Sequence, residues 1–362
     1  MLQSINAADL RSILKTLAPV ALKGSADFGT VLIDTQEGAA YSRDAELSIK
    51  VLSGALRYTK PDTAGQVFVN AKKLAAVVSA LSGAVELSTP TEKLLRLKAG
   101  RSKFELPVFD PATAQVRMEK IEGVGHSFPL KDFQSLLAFP LEAADTHNNA
   151  YAAVKVSSKD ENLYASGTDG HRLALSARPA EAIIGLDVLI PTRAARAVRE
   201  LDGERISIAE DETTIYFSTG DAGARIAAKK LVEKFPDHRK YIPAAIKAEI
   251  KIHEAKEALD ALRHVGTCLD DDKRVELHFG EGSVLFKTAG DGRAEESVPS
   301  DTVIPDPVFD EPLEFKVALD HRFLTDFFQH ATGPVRIAGN SDSEPVLFKS
   351  GNLQMLVAPI RW

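Results

Sequence analysis

The chain has 362 residues, which is more than one ordinary hydrophobic core accommodates and predicts two or three domains. Its hydrophobic share of 44% and charged share of 26% are typical of a globular protein and exclude a disordered chain. The formal net charge of −7 excludes a uniformly basic nucleic-acid binder, so any surface that attracts DNA must be local.

Cysteine content and the N-terminus limit the function further. Cys268 is the only cysteine, which excludes an internal disulfide and a zinc site built from several thiolates. The N-terminal sequence MLQSINAADLRS lacks the basic start and apolar stretch of a signal peptide, and no run of eighteen apolar residues follows. We expect a cytoplasmic protein with no membrane segment, metal or cofactor.

A pattern of strand, helix, glycine and strand is predicted three times along the chain, beginning near Val67, Val188 and Phe315. A polar or proline residue opens each helix and a glycine closes it. The opening residues are Asn70, Pro191 and Asp320, and the closing glycines are Gly83, Gly203 and Gly333. A second glycine then interrupts an alternating strand pair in each segment, at Gly100, Gly220 and Gly351.

The front half of each segment is also consistent, because an amphipathic helix precedes paired strands. The helices are predicted in AADLRSILKTLAP, LKDFQSLLAFPLEAA and AKEALDALRHVGTCL. We therefore predict an α+β fold of three tandem repeats, each with two helices packed on antiparallel sheet. Proline, glycine and charge clusters place the domain boundaries at 1–122, 123–243 and 244–362.

The stretch ASGTDGHRLAL, residues 165–175, is the strongest candidate for chemistry. In an enzyme, His171 would act as a general base oriented by Asp169, since both side chains would share one face of a strand. That interpretation predicts a cytoplasmic hydrolase or lyase. No nucleophile elbow, P-loop, dinucleotide-binding or HExxH motif accompanies the pair. The alternative from the residues alone is a charged turn that caps a strand.

Four motifs, in order along the chain, resemble the bacterial sliding clamp family, the beta subunit of DNA polymerase III. They are GRSKFEL at 100–106, TDGHRLAL at 168–175, KLVEKFPDHRKYIP at 230–243 and MLVAPIRW at 355–362. The resemblance covers the chain from end to end and is weakest in the first 50 residues. There the segment APVALKGSADFGTVLID is shorter than its family counterpart.

The resemblance implies a non-catalytic head-to-tail homodimer that encircles double-stranded DNA without sequence preference. Its helices would line the hole and its sheets would form the outer wall. It also implies partners: the alpha subunit of DNA polymerase III, the clamp loader and other proteins that carry a clamp-binding peptide. A cytoplasmic, nucleoid-associated location follows.

The same resemblance implies a peptide-binding pocket between the second and third domains. Most of its residues would come from the TDGHRL stretch, the FPDHRKYIP stretch and the C-terminal tail. Carried over by position, they are Tyr151, Thr168, Gly170, His171, Arg172, Leu173, Pro236, Lys240, Tyr241, Pro345, Leu356, Ala358, Pro359, Ile360 and Arg361. Four residues depart from the family pattern: Tyr151 replaces an aliphatic residue, Lys240 and Tyr241 replace arginine and valine, and Ala358 replaces methionine.

Basic residues on the second helices of the first two repeats are candidates for DNA contacts. A weakly positive lining would suit sliding, because phosphate contacts are non-specific and exchange rapidly. The predicted DNA-binding residues are Lys23, Lys72, Lys73, Arg193, Arg196 and Arg199. Taken singly, each of these charges is also explained by an ordinary solvated helix face.

Overall fold

The structure is a computed structural model. It describes residues 2–22, 29–57, 64–110, 125–145, 151–180, 185–220, 223–231, 235–236, 238–243, 246, 248–269, 273–280, 282–288, 292–304 and 315–360. None of the helices within these ranges is long and apolar enough to cross a membrane.

One order of elements, βαββββαβββ, occurs three times, which confirms the predicted α+β repeats. The first repeat contains β1 (Leu2–Asn6), α1 (Ala7–Ala21), β2 (Thr30–Asp34), β3 (Ala39–Arg43), β4 (Leu47–Leu52), β5 (Gln66–Asn70), α2 (Ala71–Ser79), β6 (Ala84–Thr91), β7 (Leu94–Ala99) and β8 (Ser102–Phe109). The second contains β9 (His126–Pro129), α3 (Leu130–Ala143), β10 (Ala153–Lys159), β11 (Asn162–Thr168), β12 (Arg172–Pro179), β13 (Asp187–Pro191), α4 (Thr192–Arg199), β14 (Arg205–Glu210), β15 (Thr214–Ser218) and β16 (Ala224–Lys229). The third contains β17 (Ala248–Ile252), α5 (Ala255–Gly266), β18 (Arg274–Gly280), β19 (Ser283–Thr288), β20 (Glu295–Ile304), β21 (Phe315–Asp320), α6 (His321–His330), β22 (Val335–Gly339), β23 (Val346–Ser350) and β24 (Leu353–Val357).

The glycines that mark the repeats lie in turns that require a left-handed backbone. Gly100, Gly220 and Gly351 have φ angles of 55°, 103° and 55° and form the hairpin turns before the last strand of each repeat. Gly83, Gly203 and Gly333 also have positive φ angles. They lie between a helix and a strand, because the helices end earlier, at Ser79, Arg199 and His330. These turns favour glycine because it has no Cβ.

The chain forms two compact units, each with its own twelve-stranded sheet. The first unit comprises Met1–Gln134 and Ile190–Leu231, and the second comprises Ser135–Leu189 and Val232–Trp362. The strand orders are β1-β6-β7-β8-β5-β2-β3-β4-β16-β15-β14-β9 and β13-β10-β11-β12-β24-β23-β22-β17-β20-β19-β18-β21. The predicted boundary at 122/123 lies outside the described residues, and the three-domain division stays a prediction.

Neighbouring repeats are joined by the same strand pairing in both units. In the first unit, the fourth strand of repeat one, β4, pairs antiparallel with the eighth strand of repeat two, β16. In the second unit, the fourth strand of repeat two, β12, pairs in the same way with the eighth strand of repeat three, β24. Each sheet is therefore continuous across a repeat boundary.

Apolar helix faces cover these sheets. In the second unit, Phe139 of α3 packs edge-on against Phe327 of α6, with 5.6 Å between the ring centroids. Phe327 in turn lies 5.6 Å from Phe348 of β23, and all three rings are fully buried. Rings in such geometries add to the stabilisation that burial of their area provides. This core fixes the helices behind the β12–β24 junction.

Candidate functional site

Residues 169–171, between β11 and β12, form a turn, as the alternative from the residues alone predicts, and not the strand that the enzyme interpretation requires. The Asp169 carboxylate accepts hydrogen bonds from the backbone N–H groups of His171 and Arg172, both at 3.0 Å. Gly170 has a φ angle of 89°, and its N–H donates to the Thr168 hydroxyl at 3.1 Å. The expectation that Asp169 and His171 share a strand face is therefore wrong, because the aspartate closes an Asx-type turn.

Arg172 carries the buried charge of this segment. Its Nε donates to Asp169 at 3.2 Å, one terminal nitrogen donates to Asp326 of α6 at 2.5 Å, and the other donates to the carbonyl of Glu142 at 2.6 Å. The guanidinium also lies 4.3 Å from the ring centroid of Phe323, and the side chain is only 8% exposed. Asp169 thus pairs with Arg172, and among the described residues the His171 imidazole has no hydrogen-bond partner that would orient it as a general base.

A cavity of about 180 Å³ opens beside this turn. It is lined by residues from separate parts of the second unit: Tyr151, Thr168, Gly170, His171, Arg172, Leu173, Pro236, Tyr241, Pro345, Leu356 and Ala358. Its apolar floor belongs to a buried cluster of Leu173, Ala338, Leu347 and Leu356. The structure therefore brings together eleven of the residues that the sequence predicts for one pocket.

Three of the remaining predicted pocket residues, Lys240, Pro359 and Ile360, are described and do not line the cavity. Lys240 precedes Tyr241 in a short 3-10 turn, His238–Tyr241, and does not line the described cavity. Ala358 donates its N–H to the carbonyl of His171 at 2.9 Å, and Ile360 donates to the carbonyl of Ala318 at 2.8 Å. These two bonds hold the tail against β12 and β21. Pro359 and Ile360 do not line the cavity, and Arg361 lies outside the described residues.

No protein-family model matches the chain. Among curated proteins, it is 26% identical over 298 residues to a beta sliding clamp of Caulobacter vibrioides, covering 76% of each chain. It is 24% identical over 371 residues to one of Synechocystis, covering 92% of each. Among solved structures, it superposes on the DNA polymerase III beta subunit of Thermotoga maritima with a TM-score of 0.85 and 16% identity, over 100% of this chain and 99% of that one.

The chain has the fold of a beta sliding clamp. A second structure, the sliding clamp of Bartonella birtlesii bound to griselimycin, superposes over the full length of both chains with a TM-score of 0.84 and 21% identity. The sequence is thus similar to curated beta sliding clamps and the fold is that of solved ones, as the motif resemblance predicts.

The first repeat boundary of this sliding clamp fold contains a turn built like the one beside the cavity. Asp44 accepts from the N–H groups of Glu46 and Leu47, both at 2.9 Å, as Asp169 does in the second unit. The N–H of Lys229 donates to the carbonyl of Glu46 at 2.8 Å, as that of Ala358 donates to His171. These bonds make Leu47 and Ser48 the counterparts of Arg172 and Leu173.

The side chains on the sheet face at these two junctions differ. The pair of leucines in register beside the cavity, Leu173 and Leu356, corresponds to Ser48 and Ala227 at the first boundary. The next residue on the same face of the strand is Lys50, which is buried, pairs with Glu37 and has its Nζ 4.9 Å from the Tyr41 ring centroid. The first junction therefore lacks an apolar floor like that of the cavity, although its backbone is the same.

The arginines of α4 lie along a groove of about 500 Å³ between α1 and α4. It is lined by Lys15, Ala18, Pro19, Leu22, Arg193, Arg196, Arg199 and Glu200. Arg193 is bound to Asp44 and, at 3.2 Å, to Glu46. Burial raises the pKa of the Asp44 carboxyl, but its hydrogen bonds from Arg193 and the turn backbone outweigh this and hold the pKa below its usual range. Arg193 thus joins two repeats.

The other cations of the predicted DNA surface have different surroundings. Lys15, which sequence reasoning missed, pairs with Glu200 at 2.8 Å across the groove. Arg196 is half-buried and has no ion-pair or hydrogen-bond partner among the described residues. Lys72 and Lys73 are exposed at the start of α2, and Lys23 lies outside the described residues. Within the described residues, no cluster of His, Cys, Asp and Glu side chains could hold a metal ion.

Proposed function

We propose that the chain is a non-catalytic processivity ring. It closes head to tail with a second copy around duplex DNA and tethers the polymerase alpha subunit, the clamp loader and other proteins through the cavity beside β12. The carrying observation is the repeated junction, in which the fourth strand of one repeat pairs with the eighth strand of the next. Applied once more, this rule pairs β20 of one copy with β8 of another.

Part of each strand, β8 and β20, is paired on one side only among the described residues. Residues 102–107 of β8 pair with β7 alone among the described residues, and residues 295–299 of β20 pair with β19 alone. Each therefore offers an edge on its other side, and unpaired edges invite pairing with another chain. Lys103 on β8 and Glu295 on β20 are exposed and opposite in charge. A head-to-tail contact that closes after two copies gives a ring.

The deciding experiment is retention on nicked circular DNA after loading, followed by linearisation. A closed ring is expected to be lost from the linear DNA, because topological linkage ends when free DNA ends exist, whereas phosphate affinity alone survives the cut. Light scattering in parallel is expected to give twice the chain mass. A monomer in solution, or equal retention on circular and linear DNA, would contradict the proposal.

For DNA contacts, we propose that Arg196 and Arg199 act in the groove between α1 and α4, while the charge of Arg193 is neutralised by Asp44 and Glu46. The double variant Arg196→Ala, Arg199→Ala is expected to weaken retention and to reduce the slope of log affinity against log salt by about 1 to 2. The matched variant Arg193→Ala should leave the slope unchanged. Equal slopes for the wild-type chain, the double variant and Arg193→Ala would show that the groove does not contact phosphate.

A further inference from the structure

The two strand junctions within the chain have the same register. At the first junction, Lys50 on β4 lies opposite Arg225 on β16. At the second, Leu175 on β12 is the counterpart of Lys50 and lies opposite Gln354 on β24. Because one register serves both junctions, it can be applied to the seam, which is the proposed junction between β20 of one copy and β8 of another.

Strand pairing identifies the counterpart of Lys50 on β20. In the first and third repeats, one path of paired residues leads from the residue that caps the second helix, through a step of two residues along the second strand, to the fourth strand. In the first repeat the pairs are Asn70–Thr30, Leu32–Tyr41 and Tyr41–Lys50. In the third repeat they are Asp320–Arg274, Glu276–Lys287 and Lys287–Glu295. Glu295 is therefore the counterpart of Lys50, and Arg293 is that of Ser48.

The hairpin turns identify the counterparts on β8. Gln354 lies three residues after the turn glycine Gly351, and Lys103 lies three residues after Gly100. The two turns have the same length, as the pairs that close them show: Ser350–Leu353 and Ala99–Ser102. Lys103 is therefore the counterpart of Gln354 and, through it, of Arg225.

We infer that two crossed ion pairs fix the register in which two copies of this chain join. The pairs are Glu295–Lys103 and Arg293–Glu105, with one residue of each pair from either copy. The inference rests on the proposed closure of the ring through β8 and β20. All four residues are exposed in the single chain, and opposite charges that face each other across two strands attract. Hydrogen bonds from Lys103 and Arg96 hold the pKa of the Glu105 carboxyl below its usual range, so it is charged at neutral pH.

The crossed arrangement disfavours a displaced register in both directions. A shift by one residue turns the side chains of a strand to the other face, so the nearest alternatives are shifts by two. One such shift places Glu295 opposite Glu105, and the other places Arg293 opposite Lys103. In each case a repulsion replaces an attraction. Strands that each carried charges of a single sign would keep attractive pairs after either shift, whereas this pattern selects one register.

The test reverses one charge on each strand of the seam in separate full-length chains. Lys103→Glu and Glu295→Lys each place like charges opposite one another at both seams of a ring, so the dissociation constant of each variant dimer is expected to rise about 30-fold. An equimolar mixture of the two variants is expected to recover the wild-type dissociation constant. In the mixed dimer, one seam is wild type and the other carries both exchanges, so every charge again faces its opposite.

Fluorescence-detected sedimentation measures these dissociation constants. Lys159→Glu is the control, because it changes the net charge equally at an exposed position of β10, which pairs with neither β8 nor β20. Its dimer is expected to be as stable as that of the wild-type chain.

The outcomes distinguish the register from the ring itself. A wild-type chain that stays monomeric would overturn ring closure and the register with it. A dimeric wild-type chain whose two charge-reversed variants dimerise equally well, or whose variants associate no better when mixed, would overturn the register alone. Lys103→Gln and Glu295→Gln serve if a reversal prevents folding. Each is expected to weaken the dimer about 5-fold, and no loss in either would also contradict the ion pairs.

Discussion

Deletion of residues 358–362 is expected to lower the affinity for a clamp-binding peptide by at least about thirty-fold, because loss of a contact that a bound peptide would bury costs about 2 kcal/mol or more. Ala358 lines the cavity, and its N–H group bonds to the carbonyl of the His171 turn. The deletion removes one wall and releases the turn. Fluorescence titration measures the loss, and light scattering should show unchanged dimer mass, since β8 and β20 are the proposed dimer strands.

His171→Ala is the matched control for the tail deletion. His171 is exposed at the edge of the cavity, so its substitution should cost only about 1 kcal/mol of peptide binding, as for other rim contacts. Normal peptide binding by the truncated chain would show that the cavity beside β12 is not the peptide site. The function of the TDGHRL turn would then require another explanation.

Arg172→Ala is expected to destabilise the second unit by about 2 to 3 kcal/mol, because it leaves Asp326 and Asp169 without the buried cation that they share. The value lies below that for fully buried pairs, since the Asp326 side chain is 31% exposed. Since a chain of several domains need not unfold in one step, hydrogen exchange of β12 and α6 is the proper measurement.

Arg322→Ala provides the comparison for that substitution. Arg322 makes a similar pair with Asp320, but its side chain is 58% exposed, and such pairs contribute about 1 kcal/mol or less. Exchange near α6 should therefore change much less than in Arg172→Ala. If the amide hydrogens of β12 are equally protected from exchange in the two variants, the burial of Arg172 has no special role in joining the repeats.

The repeat architecture could be predicted because its signals are local. Gly100, Gly220 and Gly351 are needed where hairpin turns have positive φ, and Asn70 and Asp320 accept hydrogen bonds from the N–H groups of Lys73 and Arg322 at the helix starts they were predicted to open. The Asp169 turn was predicted less well. An aspartate followed by glycine is itself a turn signal, and it should have outweighed the apolar strand pattern around it.

The sites depend on contacts between distant residues. The pocket forms because β12 pairs with β24, which brings Leu173 against Leu356, and only the family resemblance connected those stretches in advance. Nothing in the arginine spacing of α4 reveals that Arg193 meets Asp44, which lies 149 residues away in sequence. Charge patterns on one helix predict an exposed face but not its ion-pair partners.

If the cavity beside β12 docks client proteins as proposed, the polar face at the first repeat boundary limits how many of them one ring can hold. With Ser48, Ala227 and Lys50 where the second boundary has leucines or other apolar contacts, one chain offers a single leucine-floored junction among its described residues. In the proposed dimer, two client proteins at most could then be held at once through such junctions. A third client would have to displace one of the two, so that relative concentrations and off-rates decide which clients stay at the DNA.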